Sequence, residues 1–351
     1  MQALRWHARQ DVRLEEVELA LPLGPGLVEV AVSSCGICGS DLAEYATGPH
    51  AVRDRPYALS GQQAPVTLGH EFSGRVVAVG AGVDGVGIGD RVAADACWRC
   101  GSCSACRAGT YNLCAKGGSI GLVSDGALAE RIRFPAYCVV PLPDRVSDEA
   151  GALLEPLAVA LHALDRGGAT AGETVVVLGF GPIGAATAIV ARAMGLSVLV
   201  SEPAAGRRAR AEALGFATSA PEGEPRDVTR AIRSLTDGGA RLVVDCTGAT
   251  AVLSMAPEMT RRGGTIVLVG LPKDPPTIDA ARLVLFERSI VASLGYVHDL
   301  PRVAAMIAAG ALEPDALITK RVELAQAPDE FERLTTAPGD DLKVLVTPVA
   351  A

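Results

Sequence analysis

The chain changes texture near Asp148. Before it, short apolar and β-branched runs at 27–32, 73–79, 91–94 and 137–141 are set apart by turns rich in Gly and Pro, the pattern of a mostly β domain. Just after Ser147, a residue suited to cap a helix, positions 148–164 hold good helix formers and few turn residues. From Glu173 onward, apolar runs at 174–178, 197–201, 242–246 and 265–269 alternate with helical stretches at 182–194, 207–214, 227–235 and 251–260. Strand and helix in succession predict an α/β fold with a parallel doubly wound sheet. The tail carries a helix at 300–309 and an apolar strand at 343–347, and such a tail can return to the first domain. We expect one domain from 1–155 with 295–351 and a second from 156–294.

The uncharged run at 174–191 is long enough to raise the question of a membrane span. Gly179, Gly181, Pro182 and Gly184 would break such a helix in its middle, so the run reads as a buried strand followed by a helix. No basic stretch followed by an apolar one opens the sequence, and the expectation is a soluble, cytoplasmic protein with no membrane partner. The 351 residues are 49% hydrophobic and 21% charged, ordinary globular composition for about two domains. A net charge of −8 and 4% aromatic residues argue against nucleic acid as a partner.

Gly179-Phe180-Gly181-Pro182-Ile183-Gly184 follows a five-residue apolar strand and opens a helix, which turns a weak G-x-G-x-x-G pattern into a good one. Gly179 allows the tight turn, Gly181 lets backbone approach a pyrophosphate, and Gly184 lets helix and strand lie close. The free amides at the helix start, with Pro182 at its first position and Ile183 next, favour phosphate charge there. Eighteen residues beyond Gly184, Glu202 ends the second strand, where a carboxylate would bond the 2′-hydroxyl of NAD and repel the 2′-phosphate of NADP. Arg207 and Arg208 complicate that preference, because they could attract the phosphate.

Five of the nine cysteines fall within 97–114, and a cluster without an export signal points to metal rather than disulfides. Cys100, Cys103, Cys106 and Cys114 are spaced for a closed tetrahedral zinc site that shapes a loop, with Cys97 left over. A zinc ribbon for nucleic acid would use similar spacing, but no basic surface accompanies it. A catalytic zinc needs mixed ligands and an open position. Three segments offer them: Cys35–Asp41 with Cys38 and Ser40, Gly69-His70-Glu71, and the helix segment from Glu155 to His162. Singly, each has a structural reading as well: a core thiol, a satisfied core histidine, a first-turn acid.

Together these segments resemble the zinc-dependent medium-chain alcohol dehydrogenase family along essentially the whole chain. The likeness runs in order through CGICGSD at 35–41, GHE at 69–71, GDRV at 89–92, the four-cysteine lobe, EPLAVALHA at 155–163, GFGPIG at 179–184 and DCTG at 245–248. RWHARQDVRLEEVE, APVTLGHEFSG and YNLC look most like the butanediol dehydrogenase branch, with polyol and threonine dehydrogenases next. The resemblance implies a GroES-like β domain, a Rossmann domain and two zinc ions per chain, the catalytic one lying between the domains. It matches Cys38 and His70 to zinc ligands, Glu71 and Glu155 to two carboxylates that can alternate, and Ser40 to the hydroxyl that relays the substrate proton. It implies interconversion of a secondary alcohol, a vicinal diol such as 2,3-butanediol or a polyol, and its ketone, with NAD favoured over NADP. An amino alcohol or cyclitol-type substrate and a non-catalytic NAD-binding descendant are the alternatives. A homodimer or homotetramer is also implied, with 289–294 a candidate edge strand for pairing. One position departs: relatives carry a relay histidine where this chain has Ala43, leaving a water chain, Glu44 or His50 to replace it.

Overall fold

The computed structural model describes residues 1–221 and 223–348. These form two compact units. One comprises Met1–Glu155, Leu300–Ala309 and Ile318–Ala351; the other comprises Pro156–Asp299 and Gly310–Leu317.

The first unit is built on the long strand Leu27–Gly36. Glu71–Val79 pairs with it antiparallel, Arg131–Pro135 pairs along residues 27–31, and the tail strand Lys343–Thr347 pairs at Cys35 and Gly36. The register sets Gly36 between Glu71 and Leu345, which carries the head of the tail strand to the end of the GHE segment. Arg91–Ala94 and Val139–Pro141 extend the sheet on one side and Ile318–Glu323 on the other. The core holds Val28, Val30, Leu68 and Ile132, with Phe72 edge-on to Phe134 at 5.4 Å. A smaller sheet of Asp11–Glu16, Gln2–Ala8 and Val66–Thr67 completes the β framework.

In the second unit six strands lie in the order Ala217–Ser219, Ser197–Ser201, Thr174–Leu178, Ala240–Asp245, Thr260–Leu268, Ser289–Ala292, and every neighbouring pair is parallel. Numbered along the chain this is 3-2-1-4-5-6, the doubly wound arrangement expected from the alternating pattern. Val175, Val176, Val177, Val243 and Val244 are fully buried, as continuous apolar strands of a covered parallel sheet must be. The run that raised the membrane question divides into the strand Thr174–Leu178 and the helix Pro182–Ala193. Among the described residues no helix is long and apolar enough to cross a membrane.

Two expectations need adjustment. The helix expected over 148–164 is two, Asp148–Ala152 and Leu154–Arg166, parted at Leu153. Ser147 does cap the first, its hydroxyl accepting from the Ala150 amide at 3.0 Å. That short helix lies so close to the sheet that a Cβ on Gly151 would meet Leu142 Cδ1 at 2.7 Å and Ser73 Cβ at 2.9 Å. Residues 137–141 begin in the 3₁₀ turn Ala136–Cys138 before becoming the strand Val139–Pro141.

Candidate active site

Cys38, His70 and Glu71 come together in the first unit, with one ligand atom from each lying within 4.8 Å of the others. Cys38 precedes the helix Gly39–Thr47, and Glu71 opens the strand Glu71–Val79 with His70 one residue before it. Two glycines make the approach possible. Gly69 has φ +96°, and a Cβ there would meet Cys35 Sγ and Leu128 at 2.8 Å. A Cβ on Gly36 would stand 2.3 Å from Glu71 Oε2.

Asp41 fastens the two segments together. It is fully buried; its Oδ2 accepts from the Cys38 amide at 3.0 Å and its Oδ1 from the Gly69 amide at 3.3 Å. The same Oδ1 lies 3.5 Å from His70 Nδ1, which is buried without a hydrogen-bond partner, while Ser40 Oγ sits 3.3 Å from His70 Nε2. Burial works to lower the His70 pKa, but Asp41 and Cys38 outweigh it and hold the imidazole well above its ordinary value. A divalent cation bound here would take the place of the ring proton and offset the charge of the neighbouring thiolate and carboxylates.

Glu71 is tied to Lys343, a residue the sequence reading did not single out. Lys343 Nζ donates to Glu71 Oε1 at 2.7 Å, to Oε2 at 2.6 Å and to the Ile37 carbonyl at 3.2 Å. Both side chains are buried. Burial alone would lower the Lys343 pKa, yet Glu71, then Cys38 and Glu155, hold it above the ordinary lysine value. Glu155, in the first turn of Leu154–Arg166, is thus within electrostatic reach of this cluster, although its oxygens are not among the three gathered atoms. Its charge also acts on Cys97, whose thiol is pushed up by burial, Asp95 and Glu155.

The four-cysteine lobe is a separate cluster. Cys100 and Cys114 sulfurs are 3.5 Å apart, Cys103 and Cys114 3.9 Å, and Cys100 and Cys106 4.0 Å. A tetrahedron of 2.3 Å zinc–sulfur bonds has edges of about 3.8 Å, whereas a disulfide needs about 2.05 Å. All nine cysteines are free, and Cys97 lies outside the set. Amides of Ser102 and Cys103 donate to the Cys100 sulfur and bring its pKa down to about 5. Burial and the neighbouring thiols push Cys106 up to about 12. Four sulfurs so crowded cannot all ionise unaided, so the geometry fits a cation that draws all four down.

In the second unit Gly179 has φ +90°, and a Cβ would strike Thr247 Cγ2 at 2.7 Å; a Cβ on Gly184 would lie 2.0 Å from the Gly179 carbonyl oxygen. Gly181 caps the helix that Pro182 opens, and a Cβ there would meet nothing nearer than Arg207 Nη1 at 3.8 Å. Glu202 is turned inward: its Oε2 accepts from the Phe180 amide at 2.6 Å and its Oε1 from the Ala204 amide at 2.9 Å. The acid thereby joins the glycine loop to the end of the second strand. Arg208 is committed to the carbonyls of Glu202, at 2.9 Å, and Pro203. His162 bonds Asp299 at 3.1 Å, a structural role.

The relay candidates also separate. Glu44 is buried and its carboxylate accepts from the amides of His50, Ala51 and Val52, so it holds a loop rather than passing protons. His50 Nε2 lies 2.8 Å from Thr47 Oγ1, which donates to the Ala43 carbonyl at 3.1 Å.

Residues 24–144 match the alcohol dehydrogenase GroES-like domain family and residues 182–309 match the zinc-binding dehydrogenase family. The chain is 35% identical to (R,R)-butanediol dehydrogenase of Bacillus subtilis (strain 168), over 99% of this chain and all of the other. The chain belongs to the zinc-dependent alcohol dehydrogenase family. A crystal structure of the 2R,3R-butanediol dehydrogenase from Bacillus subtilis superposes with a TM-score of 0.92 over 99% of both chains, at 35% identity. Sorbitol dehydrogenase of Gallus gallus is 34% identical over 97% of this chain and 94% of its own length. A protein from Sinorhizobium meliloti 1021, solved bound to NADP, superposes with a TM-score of 0.88 at 32% identity over 99% of both chains. The first unit accordingly has the GroES-like fold and the second the Rossmann fold. The molecule is an oxidoreductase acting on alcohols, and the readings as a zinc ribbon or a non-catalytic descendant are not favoured.

Asp41 and Lys343 were missed by the sequence reading. Asp41 had a signal, an acid three residues beyond Cys38 at a helix start. Lys343 had only a faint one, a single cation heading an apolar strand.

Proposed function

We propose that this chain is an NAD(H)-dependent dehydrogenase of a secondary alcohol, first of all a vicinal diol such as 2,3-butanediol, with a catalytic zinc held by Cys38, His70 and a carboxylate. The observation that carries this reading is the Cys38 thiol and the His70 imidazole brought together beside the Glu71 carboxylate, one atom of each within 4.8 Å of the others, with the Ser40 hydroxyl 3.3 Å from the imidazole. Because both oxygens of Glu71 are engaged by Lys343, we assign Glu155 as the third protein ligand and Glu71 as the carboxylate that supports the site. Cys100, Cys103, Cys106 and Cys114 take the second, structural zinc. When bound, the catalytic zinc supplies Lewis acidity at the substrate oxygen and the nicotinamide supplies the hydride acceptor.

The chain's own residues do the remainder. The Ser40 hydroxyl accepts the alcohol proton in oxidation and returns it in carbonyl reduction. Asp41 holds the Cys38 loop and the Gly69 turn in one geometry, so the ligands need no reorganisation when substrate arrives. With Glu44 committed to its loop, the onward path runs by water or by His50 through Thr47. Gly179 and Gly181 admit the pyrophosphate to the free amides of Ile183 and Gly184, Pro182 having none to offer, and Glu202 and Arg207 flank the adenosine ribose. The inward-turned Glu202 charge favours NAD, because a 2′-phosphate would meet it.

The first unit is read as the catalytic domain and the second as the cofactor domain. A reducing compartment such as the cytoplasm suits a lobe whose four thiols must stay unoxidised. Ser289–Ala292 ends its sheet, and the exposed Val284 and Leu285 shortly before it favour pairing with a second copy as a homodimer or homotetramer. The test of substrate is an NAD(H)-linked assay across diols, polyols, amino alcohols and their ketones. A vicinal diol should lead by about tenfold or more in kcat/KM over a polyol. A lead by an amino alcohol or cyclitol, or a preference for NADP, would contradict the reading.

A further inference from the structure

The helix Pro225–Leu235 in the second unit places Arg226, Arg230 and Arg233 at steps of four and three, a stripe along one helical face. Arg282, from the short helix Ala280–Leu285, faces the same space, and Ser254 and Glu258 of Thr250–Met259 supply the opposite wall. Together they line a cavity of about 400 Å³, the size of a small-metabolite site. None of these residues belongs to the glycine loop.

The charge in this cavity is unbalanced. Among the described residues four lining arginines face one lining carboxylate, Glu258, and that carboxylate is already divided. Its Oε2 is 2.8 Å from Arg282 and its Oε1 3.4 Å from a fifth arginine, Arg288, which is buried behind the cavity. Arg233 reaches the Glu258 backbone carbonyl, at 3.2 Å, and not its carboxylate. Asp227 binds Arg230 at 2.9 Å, but in an exposed pair that solvent screens. Burial does most to hold the Arg288 pKa below its ordinary value against the pull of Glu258, and the charges of Arg233 and Arg282 add to that lowering. Such an excess stands out in a chain of net charge −8.

We propose that this cavity is a second anion site, which takes a small metabolite carrying two or more phosphate charges. Guanidinium forks match phosphoryl oxygens in pairs, and Arg226, Arg230, Arg233 and Arg282 present four of them from two helices. The concavity and the acidic remainder of the surface select a small anion over nucleic acid.

The test is calorimetric titration of the full-length protein with inorganic tripolyphosphate at about 0.15 M salt, with saturating NADH present so that the glycine loop is occupied. About one tripolyphosphate per chain should bind saturably. Arg226→Gln with Arg230→Gln, both exposed and remote from the core, should weaken it by about tenfold or more while leaving the melting temperature unchanged. Sulfate at equal ionic strength should not reproduce the effect. Absence of saturable binding, binding that the double variant leaves intact, or an effect that sulfate matches would overturn the proposal.

Discussion

At the residue scale, the account rests on which groups are free to meet a metal and which are already engaged. Lys343 and Glu71 are both buried and joined by two hydrogen bonds, so removing one leaves the other charge stranded. Lys343→Met should cost on the order of 3–5 kcal/mol of stability, read as a lowered melting temperature. Adding Glu71→Gln should restore most of it. If the single variant melts as the wild type does, the pair is not the support assigned to it. Ala43→His tests the proton path: with Glu44 tied to three amides, a histidine at that position should speed proton transfer from Ser40. An unchanged rate across pH would mean that the existing exit already serves. That the lobe cysteines gather was legible from their spacing, and that Cys38 and His70 do so from the family motifs that carry them. Lys343 was not, because its role comes from a strand register that joins positions 272 residues apart.

Among elements, the doubly wound half was legible almost strand by strand. Its strands are continuous apolar runs between helices, and Thr174–Leu178 and Ser197–Ser201 fall where the pattern puts them. The β half was read less completely. Asp11–Glu16 is only half buried along its length, with just Val12 and Leu14 on the face that packs against the core, too short an alternation to stand out, and the helix Gly39–Thr47 begins at a glycine inside the CGICGSD motif. The glycine loop gives a paired prediction. Gly184→Ala puts a methyl 2.0 Å from a carbonyl oxygen and should lower both the melting temperature and NAD(H) affinity. Gly181→Ala meets no close neighbour within the chain, so it should keep the melting temperature while weakening NAD(H) by about tenfold or more, if backbone approaches the pyrophosphate there. Equal affinity for that variant, measured by fluorescence titration, would place the phosphates elsewhere. The helix Ala327–Thr336 carries a pH prediction. Burial works to raise the Glu330 pKa, but Arg333 and Lys320 outweigh it and leave it below 4.5. A carboxyl lowered on folding stabilises the folded state above its unfolded pKa, and that contribution fades as pH falls through the folded value. Glu330→Gln should therefore flatten the acid limb of the melting temperature below about pH 4.5 and lower it at neutrality. An acid limb parallel to the wild type would show that the pair carries no such linkage.

For the whole molecule, the two donor sets are of different kinds, and the proposed metal sites would differ with them. Four thiolates would close one site on itself; a thiol, an imidazole and a carboxylate would leave the other a position for a substrate oxygen. They should part company when challenged separately. Cys103→Ser should remove the lobe zinc and loosen residues 100–114. The measurement that bears most directly on the central claim is the zinc content of purified Cys38→Ser, read together with its turnover on the best alcohol substrate. The account predicts about two zinc ions per chain in the wild type and about one in the variant, an unchanged melting temperature, and turnover lower by about a hundredfold or more. Two zinc ions and wild-type turnover in Cys38→Ser would contradict it.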